Sequence, residues 1–226
     1  LSDKDYLHDY IKVSDLIVNI GHDVVEKPPF FMEHGGTKVI HVNYKSAQVD
    51  QVYFPQIEVV GDIALSVDAL AATLGSKLDI DLGDFEKVRD NVKENIFRLA
   101  EEPTFPMRPQ EIVSEIRNLM GYHDIIALDN GVYKIWFARN YLAFQPNTIL
   151  LDNALATMGA GLPSAMLAAL IHPNRKVMSI CGDGGFMMNS QEIETAVRLN
   201  LSLVVLILND NSYGMIRWKQ AGSGFE

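Results

Sequence analysis

A single cysteine, Cys181, occurs in the 226 residues. One cysteine excludes an internal disulfide and any metal site built from several thiolates, and it is typical of a reducing compartment. The longest apolar runs, such as residues 203–208, are far shorter than the ~20 residues that a membrane-spanning helix needs. No signal-peptide pattern is visible either. These absences predict a cytoplasmic protein without a membrane partner.

Positive charge is also scarce, since 19 Lys and Arg residues face 29 Asp and Glu residues for a net charge of −10. That balance argues against nucleic acid as a partner, because no run of Lys or Arg overrules it. An anionic ligand then needs a metal ion or helix dipoles beside it. Apolar residues make up 48% and charged residues 21% of the chain, which is typical of a globular protein.

Short apolar runs alternate with helical patterns along the chain, which favours an α/β fold. Continuous apolar strands separated by helices predict parallel sheets covered on both faces, so we expect two parallel-sheet αβα sandwich domains. The predicted strands cover residues 16–20, 38–43, 57–60, 124–128, 176–180 and 203–208. The predicted helices cover residues 62–74, 109–120, 132–143, 158–171 and 190–199.

The composition changes between Gly75 and Met107, where acidic residues accumulate and three prolines follow near the end. Apolar residues recur there at helical spacing from Phe85 to Leu99. We therefore predict three parts: residues 1–75 in one domain, a helical connector over 76–105, and a second domain over 106–226. The chain starts without Met and stops in a Gly-rich stretch, which predicts a piece of a longer protein.

Two polar loops follow predicted strands, over residues 181–186 and 209–215. Ligands of parallel sheets bind at the carboxyl ends of strands, and a right-handed crossover would make these two strands neighbours. Asp183 and Asp210 could then converge, while Gly182, Gly184 and Gly185 let a bulky anion approach the backbone. Two carboxylates beside a phosphate site suit Mg²⁺.

This glycine run has other interpretations. Gly-Asp-Gly-Gly taken alone often forms an ordinary turn. A dinucleotide-binding loop would need glycine where Met187 stands, and a P-loop is excluded because no Gly-Lys-Ser/Thr occurs. The second acidic, amide-rich loop favours a metal–diphosphate site.

The combination of Gly182-Asp183-Gly184 with Asn209-Asp210-Asn211, one crossover later, resembles the signature of thiamine diphosphate-dependent enzymes. The surrounding sequence is similar to large subunits of acetolactate (acetohydroxyacid) synthase. The similar segments are Gly182-Asp-Gly-Gly-Phe186, Glu192-Ile-Glu-Thr-Ala-Val-Arg-Leu199, Tyr213-Gly-Met215, Thr157-Met-Gly-Ala-Gly-Leu-Pro163 and Asp129-Asn-Gly131. In this resemblance, residues 1–75 correspond to the later part of a central domain. Residues 106–226 correspond to most of the diphosphate-binding domain.

The resemblance implies roles for individual residues. Mg²⁺ would be bound by the carboxylates of Asp183 and Asp210 and by the carbonyl of Ser212. Many family members carry Asn at the second ligand, so Asp210 is a departure, and Asn209 is the alternative. The residues expected to bind the cofactor are Val132, Tyr133, Lys134, Ala156, Met158, Gly182, Asp183, Gly184, Gly185, Asp210, Asn211, Ser212 and Tyr213.

Met158 would support the cofactor in its bent conformation, and the Ala156 carbonyl and Met158 N–H would hold the aminopyrimidine edge. Out of this context, Met158 would be ordinary core. Met215 and Trp218 correspond to substrate-pocket residues, although a Trp there could equally serve packing. Trp136 and His41 are interpreted as structural and Cys181 as a buried small residue.

Flavin binding stays open. Biosynthetic members bind FAD through a Gly-x-Arg-Phe-Asp-Asp-Arg run, whereas this chain has Gly21-His-Asp-Val-Val-Glu-Lys-Pro-Pro29 at the comparable place. That favours the flavin-free, catabolic type. Trp218 favours the biosynthetic type, so the subtype is mixed.

The resemblance implies a transferase that decarboxylates pyruvate and ligates the resulting enamine to a second 2-oxo acid, a reaction of branched-chain amino acid biosynthesis. The alternatives are another thiamine diphosphate-dependent 2-oxo acid decarboxylase, a glyoxylate carboligase, or a non-catalytic cofactor-binding subunit. A homodimer or homotetramer with sites between subunits is expected. The glutamate that activates the cofactor would lie in a domain outside this chain, so we expect the isolated 226-residue piece to be inactive.

Overall fold

The computed structural model describes residues 6–22, 32–75, 81–100, 102–153 and 155–225. The chain divides into two compact units, Leu1–Asn95 and Ile96–Glu226. The division falls within a helix that spans Gly83–Phe97. In the described part of the chain, both sheets contain parallel strand pairs only.

The first unit is built on a three-stranded sheet in the order β1-β2-β3. Its core includes Met32, Val39 and Tyr53. The elements are α1 (Tyr6–Lys12), β1 (Leu16–Ile20), β2 (Lys38–Asn43), β3 (Ile57–Val60), α2 (Ile63–Leu74) and α3 (Gly83–Phe97), the last of which runs into the second unit.

The start of α2 shows how the sequence sets an element boundary. Asp62 is the N-cap, and its Oδ1 accepts a hydrogen bond from the Leu65 N–H at 2.9 Å. This bond satisfies one of the backbone donors that the first turn of a helix leaves unpaired. The prediction that Asp62 begins this helix is confirmed.

The second unit is built on a four-stranded sheet in the order β5-β4-β6-β7. The elements are α4 (Pro109–Leu119), β4 (Ile125–Leu128), α5 (Val132–Asn140), β5 (Ile149–Leu150), α6 (Gly161–Ile171), β6 (Val177–Gly182), α7 (Asp183–Asn189), α8 (Glu192–Arg198), β7 (Val204–Leu208) and α9 (Gly214–Gly222). Pro109 begins α4 as expected, because its fixed φ suits the first turn and its missing N–H would have no partner there.

Helices cover both faces of this sheet. On one face Ile126 and Leu128 pack with Val113 of α4 and Phe137 of α5, among other buried residues. On the other face Ile125 and Ala127 pack with three alanines of α6, at positions 165, 168 and 169. Successive β4 side chains therefore enter opposite layers, as the two-residue period of a strand requires. The expected α/β class and αβα layering are confirmed for this unit.

Several predicted boundaries were wrong. The helix expected over 158–171 begins at Gly161, and that expected over 132–143 ends at Asn140. Residues 181–186 were expected to be a loop, but β6 continues to Gly182 and α7 begins at once. Two helices, α7 and α8, therefore connect β6 to β7 instead of one. Gly214–Gly222 forms α9, which was not predicted because its glycines suggested a loop.

Candidate active site at the carboxyl edge of the second sheet

The two predicted metal-binding aspartates lie at the same edge of the sheet. Strands β6 and β7 are parallel neighbours, and Gly182 pairs with Leu208 at their carboxyl ends. Asp183 follows Gly182 directly, and Asp210 lies two residues beyond Leu208. The expected adjacency of the two strands is confirmed.

Asp183 is the first residue of α7, after extended backbone at Gly182. A carboxylate in the first turn of a helix is favoured by the partial positive charge of the helix start. Asp183 is half-buried, and its carboxylate makes no hydrogen bond or ion pair to any residue that the structure describes. Folding therefore leaves its oxygens available to a ligand.

The loop after β7 is shaped by its own side chains. Oδ1 of Asn209 accepts a hydrogen bond from the Asn211 N–H at 3.0 Å, and Oδ1 of Asp210 accepts one from the Ser212 N–H at 3.1 Å. Asn211 has a φ of 53°, a left-handed conformation that asparagine tolerates better than most residues. These turns use Oδ1 of Asp210 and Asn209, while Oδ2 of Asp210 makes no hydrogen bond among the described residues.

Glycines allow four segments at this edge of the sheet to come together. A Cβ atom at Gly184 would lie 2.6 Å from Cε1 of Tyr213 and 3.5 Å from Cε of Met158. A Cβ atom at Gly214 would lie 2.7 Å from Oδ2 of Asp210 and 3.0 Å from Cγ1 of Val132. The segments after β4, β5, β6 and β7 thus converge on one place.

Tyr133 and Lys134 stand in the segment after β4, where a diphosphate contact was expected. The Tyr133 ring is buried against Gly131 and Gly182, and burial, with a smaller contribution from the Asp129 charge, raises the pKa of its hydroxyl. Nζ of Lys134 donates to Oδ1 of Asn130 at 2.7 Å and to the Asp152 carbonyl. Both side chains thus serve the fold, and the Lys134 N–H itself donates to the Gly131 carbonyl at 3.1 Å. The diphosphate contact expected in this segment stays a prediction.

Met158 and Ala156 lie in the segment that leads into α6. Ala156 is exposed and Met158 is half-buried, with its methyl group next to Gly184. Met158 is therefore part of the convergence described above. Gly159 follows it with a φ of 87°, a conformation that favours glycine.

Met215 and Trp218 both lie on α9. Met215 is half-buried and Trp218 is 62% exposed, so Trp218 does not serve core packing in this unit. No described contact joins either side chain to Met158 or to the two aspartates.

The remaining residues singled out from the sequence are structural. Cys181 is buried in β6, and burial raises the pKa of its thiol to about 11. Trp136 packs against the larger core cluster, and His41 is buried in β2. The segment bearing on flavin, residues 21–29, lies mostly outside the described residues.

The described residues contain no group of three or more His, Cys, Asp or Glu side chains that could hold a metal ion. A cation between Asp183 and Asp210 would need backbone and ligand oxygens to complete its shell, which is common for Mg²⁺. Within the described ranges, no helix is long and apolar enough to span a membrane.

Sequence reasoning missed three polar residues next to Met158, namely Asp129, Asn130 and Asn189. Asp129 is fully buried, and its Oδ1 accepts a hydrogen bond from the Ala160 N–H at 3.0 Å. A Cβ atom at Gly185 would lie only 2.1 Å from its Oδ2. The Asp-Asn-Gly run after an apolar strand was visible in the sequence, but nothing marked Asn189.

Comparison with known proteins identifies the family of the second unit. Residues 129–226 match the family model described as thiamine pyrophosphate enzyme, C-terminal TPP binding domain. All four converging segments lie within that match, which begins directly after β4. Residues 129–226 therefore belong to the thiamine diphosphate-dependent enzyme family, which confirms the resemblance seen in the sequence.

Within that family, its relatives include acetolactate synthases. The chain is 31% identical over 216 residues to acetolactate synthase of Bacillus subtilis (strain 168), covering 93% of this chain and 37% of that protein. It is 34% identical over 209 residues to the catabolic acetolactate synthase of Raoultella terrigena, covering 91% and 37%. The chain thus spans little more than a third of the length of these curated relatives.

Proposed function

We propose that this chain is part of a thiamine diphosphate- and Mg²⁺-dependent acetolactate synthase, which decarboxylates pyruvate and joins the two-carbon product to a second 2-oxo acid. The observation that carries the proposal is the meeting of Met158, Tyr213 and Gly184 beside the ends of β6 and β7. Relatives named acetolactate synthase support the choice of reaction.

The residues at this edge fit the cofactor in their chemistry. A diphosphate carries negative charge, and Lys134, the cationic side chain of the segment after β4, is bound to Asn130 and to the Asp152 carbonyl. The side chains offered instead are the carboxylates of Asp183 and Asp210. Two anions beside an anionic diphosphate require a divalent cation between them, so the donor set itself calls for Mg²⁺.

In this proposal Asp183, Asp210 and the Ser212 carbonyl hold the cation. Gly182, Gly184, Gly185, Asn211 and Tyr213 border the diphosphate, together with the backbone of residues 132–134. The absence of side chains at Gly184 and Gly185 lets Tyr213 and Asp129 pack against the first turn of α7. The first backbone N–H groups of a helix have no partner within the helix, so in this proposal they face the diphosphate.

Ala156 and Met158 are assigned to the opposite, aromatic end of the cofactor. When bound, thiamine diphosphate supplies the electron sink that a carbanion at a carbonyl carbon needs. Met158 would orient the aromatic rings, and Met215 and Trp218 would face the 2-oxo acids. Holding the reacting groups in a fixed orientation and away from water favours ligation over simple protonation.

No acid of this chain is assigned to cofactor activation. By resemblance, that glutamate lies in another domain and acts from a partner subunit, which makes the active species a homodimer or homotetramer. We therefore expect the isolated 226-residue piece to be inactive, and acetolactate formation by that purified piece would contradict the assignment.

Product analysis of the full-length protein tests the proposed reaction. The protein is supplied with pyruvate, Mg²⁺ and thiamine diphosphate, and the products are separated and identified. Acetolactate is the expected product. Free acetaldehyde alone would show a decarboxylase on the same scaffold, and cofactor binding without turnover would show a non-catalytic subunit.

A further inference from the structure

Three polar side chains converge on the short turn that carries Met158. Nδ2 of Asn130 donates to the Thr157 carbonyl at 2.5 Å. Nδ2 of Asn189 donates to the Gly159 carbonyl at 2.7 Å. Oδ1 of Asp129 accepts from the Ala160 N–H at 3.0 Å. The backbone is thus bonded immediately before Met158 and at both residues after it.

The three side chains come from two different parts of the sheet and its helices. Asp129 and Asn130 follow β4 directly, and Asn189 is the last residue of α7. The turn is consequently tied to the sheet on one side and to the helix that begins with Asp183 on the other. A segment held from two rigid elements is better positioned than a free loop.

The three bonds differ in expected strength. Asp129 is fully buried and Gly159 is buried, whereas Thr157 is exposed. A buried group that loses its partner retains the cost of leaving water, while an exposed carbonyl can bond to solvent instead. The bonds made by Asp129 and Asn189 should therefore matter more than that made by Asn130.

Close packing supports the same arrangement. A Cβ atom at Gly159 would lie 2.9 Å from Nδ2 of Asn189, and one at Gly161 would lie 2.7 Å from Cβ of Asp129. The turn thus sits directly against both side chains. With Gly159 at a φ of 87°, few other residues could adopt this path.

We propose that Asp129, Asn130 and Asn189 are positioning residues that clamp the Met158 turn and so set the affinity for the aromatic end of the cofactor. The inference rests on the proposed function for its ligand, because Ala156 and Met158 are assigned there to that end. The clamp makes no described hydrogen bond to the loop of Asp210, so binding of a diphosphate alone should be insensitive to it.

The test uses the full-length protein with Asn189→Ala and a matched control, Asn140→Ala. Asn140 is also half-buried and also donates through Nδ2 to a backbone carbonyl, that of Ile96 at 3.0 Å, but away from the turn. Affinities for thiamine diphosphate and for inorganic pyrophosphate are measured by calorimetry in the presence of Mg²⁺.

Asn189→Ala should weaken thiamine diphosphate binding about five- to tenfold, the effect of one lost hydrogen bond, and change pyrophosphate binding less than about twofold. Asn140→Ala should change neither affinity by more than about twofold. Asp129→Asn keeps an acceptor for the Ala160 N–H and should stay within about threefold of wild type. Equal weakening of both ligands by Asn189→Ala, or no weakening, would overturn the clamp.

Hydrogen exchange in the cofactor-free protein separates this inference from the proposed function. Amides of residues 157–160 should exchange at least about fivefold faster in Asn189→Ala than in wild type or Asn140→Ala. Unchanged exchange would overturn the clamp whatever ligand is bound. A wild-type protein that fails to bind thiamine diphosphate would instead overturn the proposed function.

Discussion

Polar side chains near the strand ends behave differently in the two units. In the first unit, Nδ2 of Asn19 donates to the Tyr53 hydroxyl at 2.8 Å, and that hydroxyl lies 2.9 Å from Nδ1 of His41. Nε2 of His41 lies 3.1 Å from the Lys45 carbonyl, so one tautomer, with Nε2 protonated, satisfies the whole chain of bonds. Asp62 is likewise engaged, as the cap of α2.

In the second unit, the carboxyl edge of the sheet has carboxylate oxygens without hydrogen-bond partners among the described residues. Asp183 has no hydrogen-bond partner among the described residues, and neither has Oδ2 of the fully buried Asp129. Buried polar groups in folded proteins are usually paired, so the unpaired Oδ2 of Asp129 distinguishes this edge from that of the first unit. The comparison teaches that a parallel sheet alone does not mark a ligand site, and that unpaired acceptors at the carboxyl edge of the second sheet favour the site proposed there.

Replacing Asp183, at the carboxyl edge of the sheet in the second unit, should have the largest effect on cofactor binding. Asp183→Ala in the full-length protein should lower Mg²⁺-dependent affinity for thiamine diphosphate by more than about 100-fold, since even residues outside the metal's own ligands contribute 10–100-fold at such sites. Titration of the cofactor at fixed Mg²⁺ measures this. Unchanged affinity would show that Asp183 does not bind the metal.

Glycine substitutions sharpen the contrast between the two edges. Gly185→Ala would place Cβ 2.1 Å from Oδ2 of Asp129, and we expect it to lower the free energy of unfolding by about 1–3 kcal/mol. A Cβ atom at Gly61, directly after β3, would meet no described atom within 4 Å, so Gly61→Ala should stay within about 0.5 kcal/mol of wild type. Denaturation of both variants provides the measurement, and equal stability of the two would contradict the close approach at Gly185.

Replacing Asp62, at the carboxyl edge of the sheet in the first unit, should affect stability without affecting cofactor binding. Asp62→Ala removes the α2 cap and should lower the free energy of unfolding by about 1 kcal/mol, while thiamine diphosphate affinity stays unchanged. Asp62→Asn retains a capping oxygen and should be close to wild type. A loss of cofactor affinity in Asp62→Ala would remove the distinction between the two edges.

The smallest effect is expected for the reactivity of Cys181, two residues before Asp183. Burial raises the pKa of the Cys181 thiol to about 11, so little thiolate forms in the folded protein below that pH. An unfolded chain forms thiolate near pH 9, so raising the pH from 7 to 9 should accelerate alkylation strongly only in denaturant. Rapid labelling of the native protein at pH 9 would contradict the burial of this strand.

Much of the fold followed from periodicity. Apolar runs located β1, β2, β3, β6 and β7 closely, and the adjacency of β6 and β7 followed from crossover geometry. Strand β5 was missed because two residues carry no period. Helices α7 and α9 were missed because they begin at or near glycines, which have poor helix propensity and suggested loops.

The site divided in the same way. Asp183 and Asp210 were singled out because strand order brings the two loops together, and Met158 because its surroundings resemble a known family; their roles stay predictions. The roles of Asp129, Asn130 and Asn189 could not be predicted, because each depends on a hydrogen bond to backbone about 30 residues away in the sequence. Such bonds follow from tertiary packing, which local patterns do not encode.

The central claim is that Asp183 and Asp210 bind one divalent cation that anchors a diphosphate. A crystal structure of the full-length protein with thiamine diphosphate and Mg²⁺ tests it most directly. We predict one carboxylate oxygen from each aspartate at about 2.0–2.1 Å from a single ion, which also contacts the diphosphate. An ion bound without either carboxylate, or a diphosphate bound away from the ends of β6 and β7, would contradict the account.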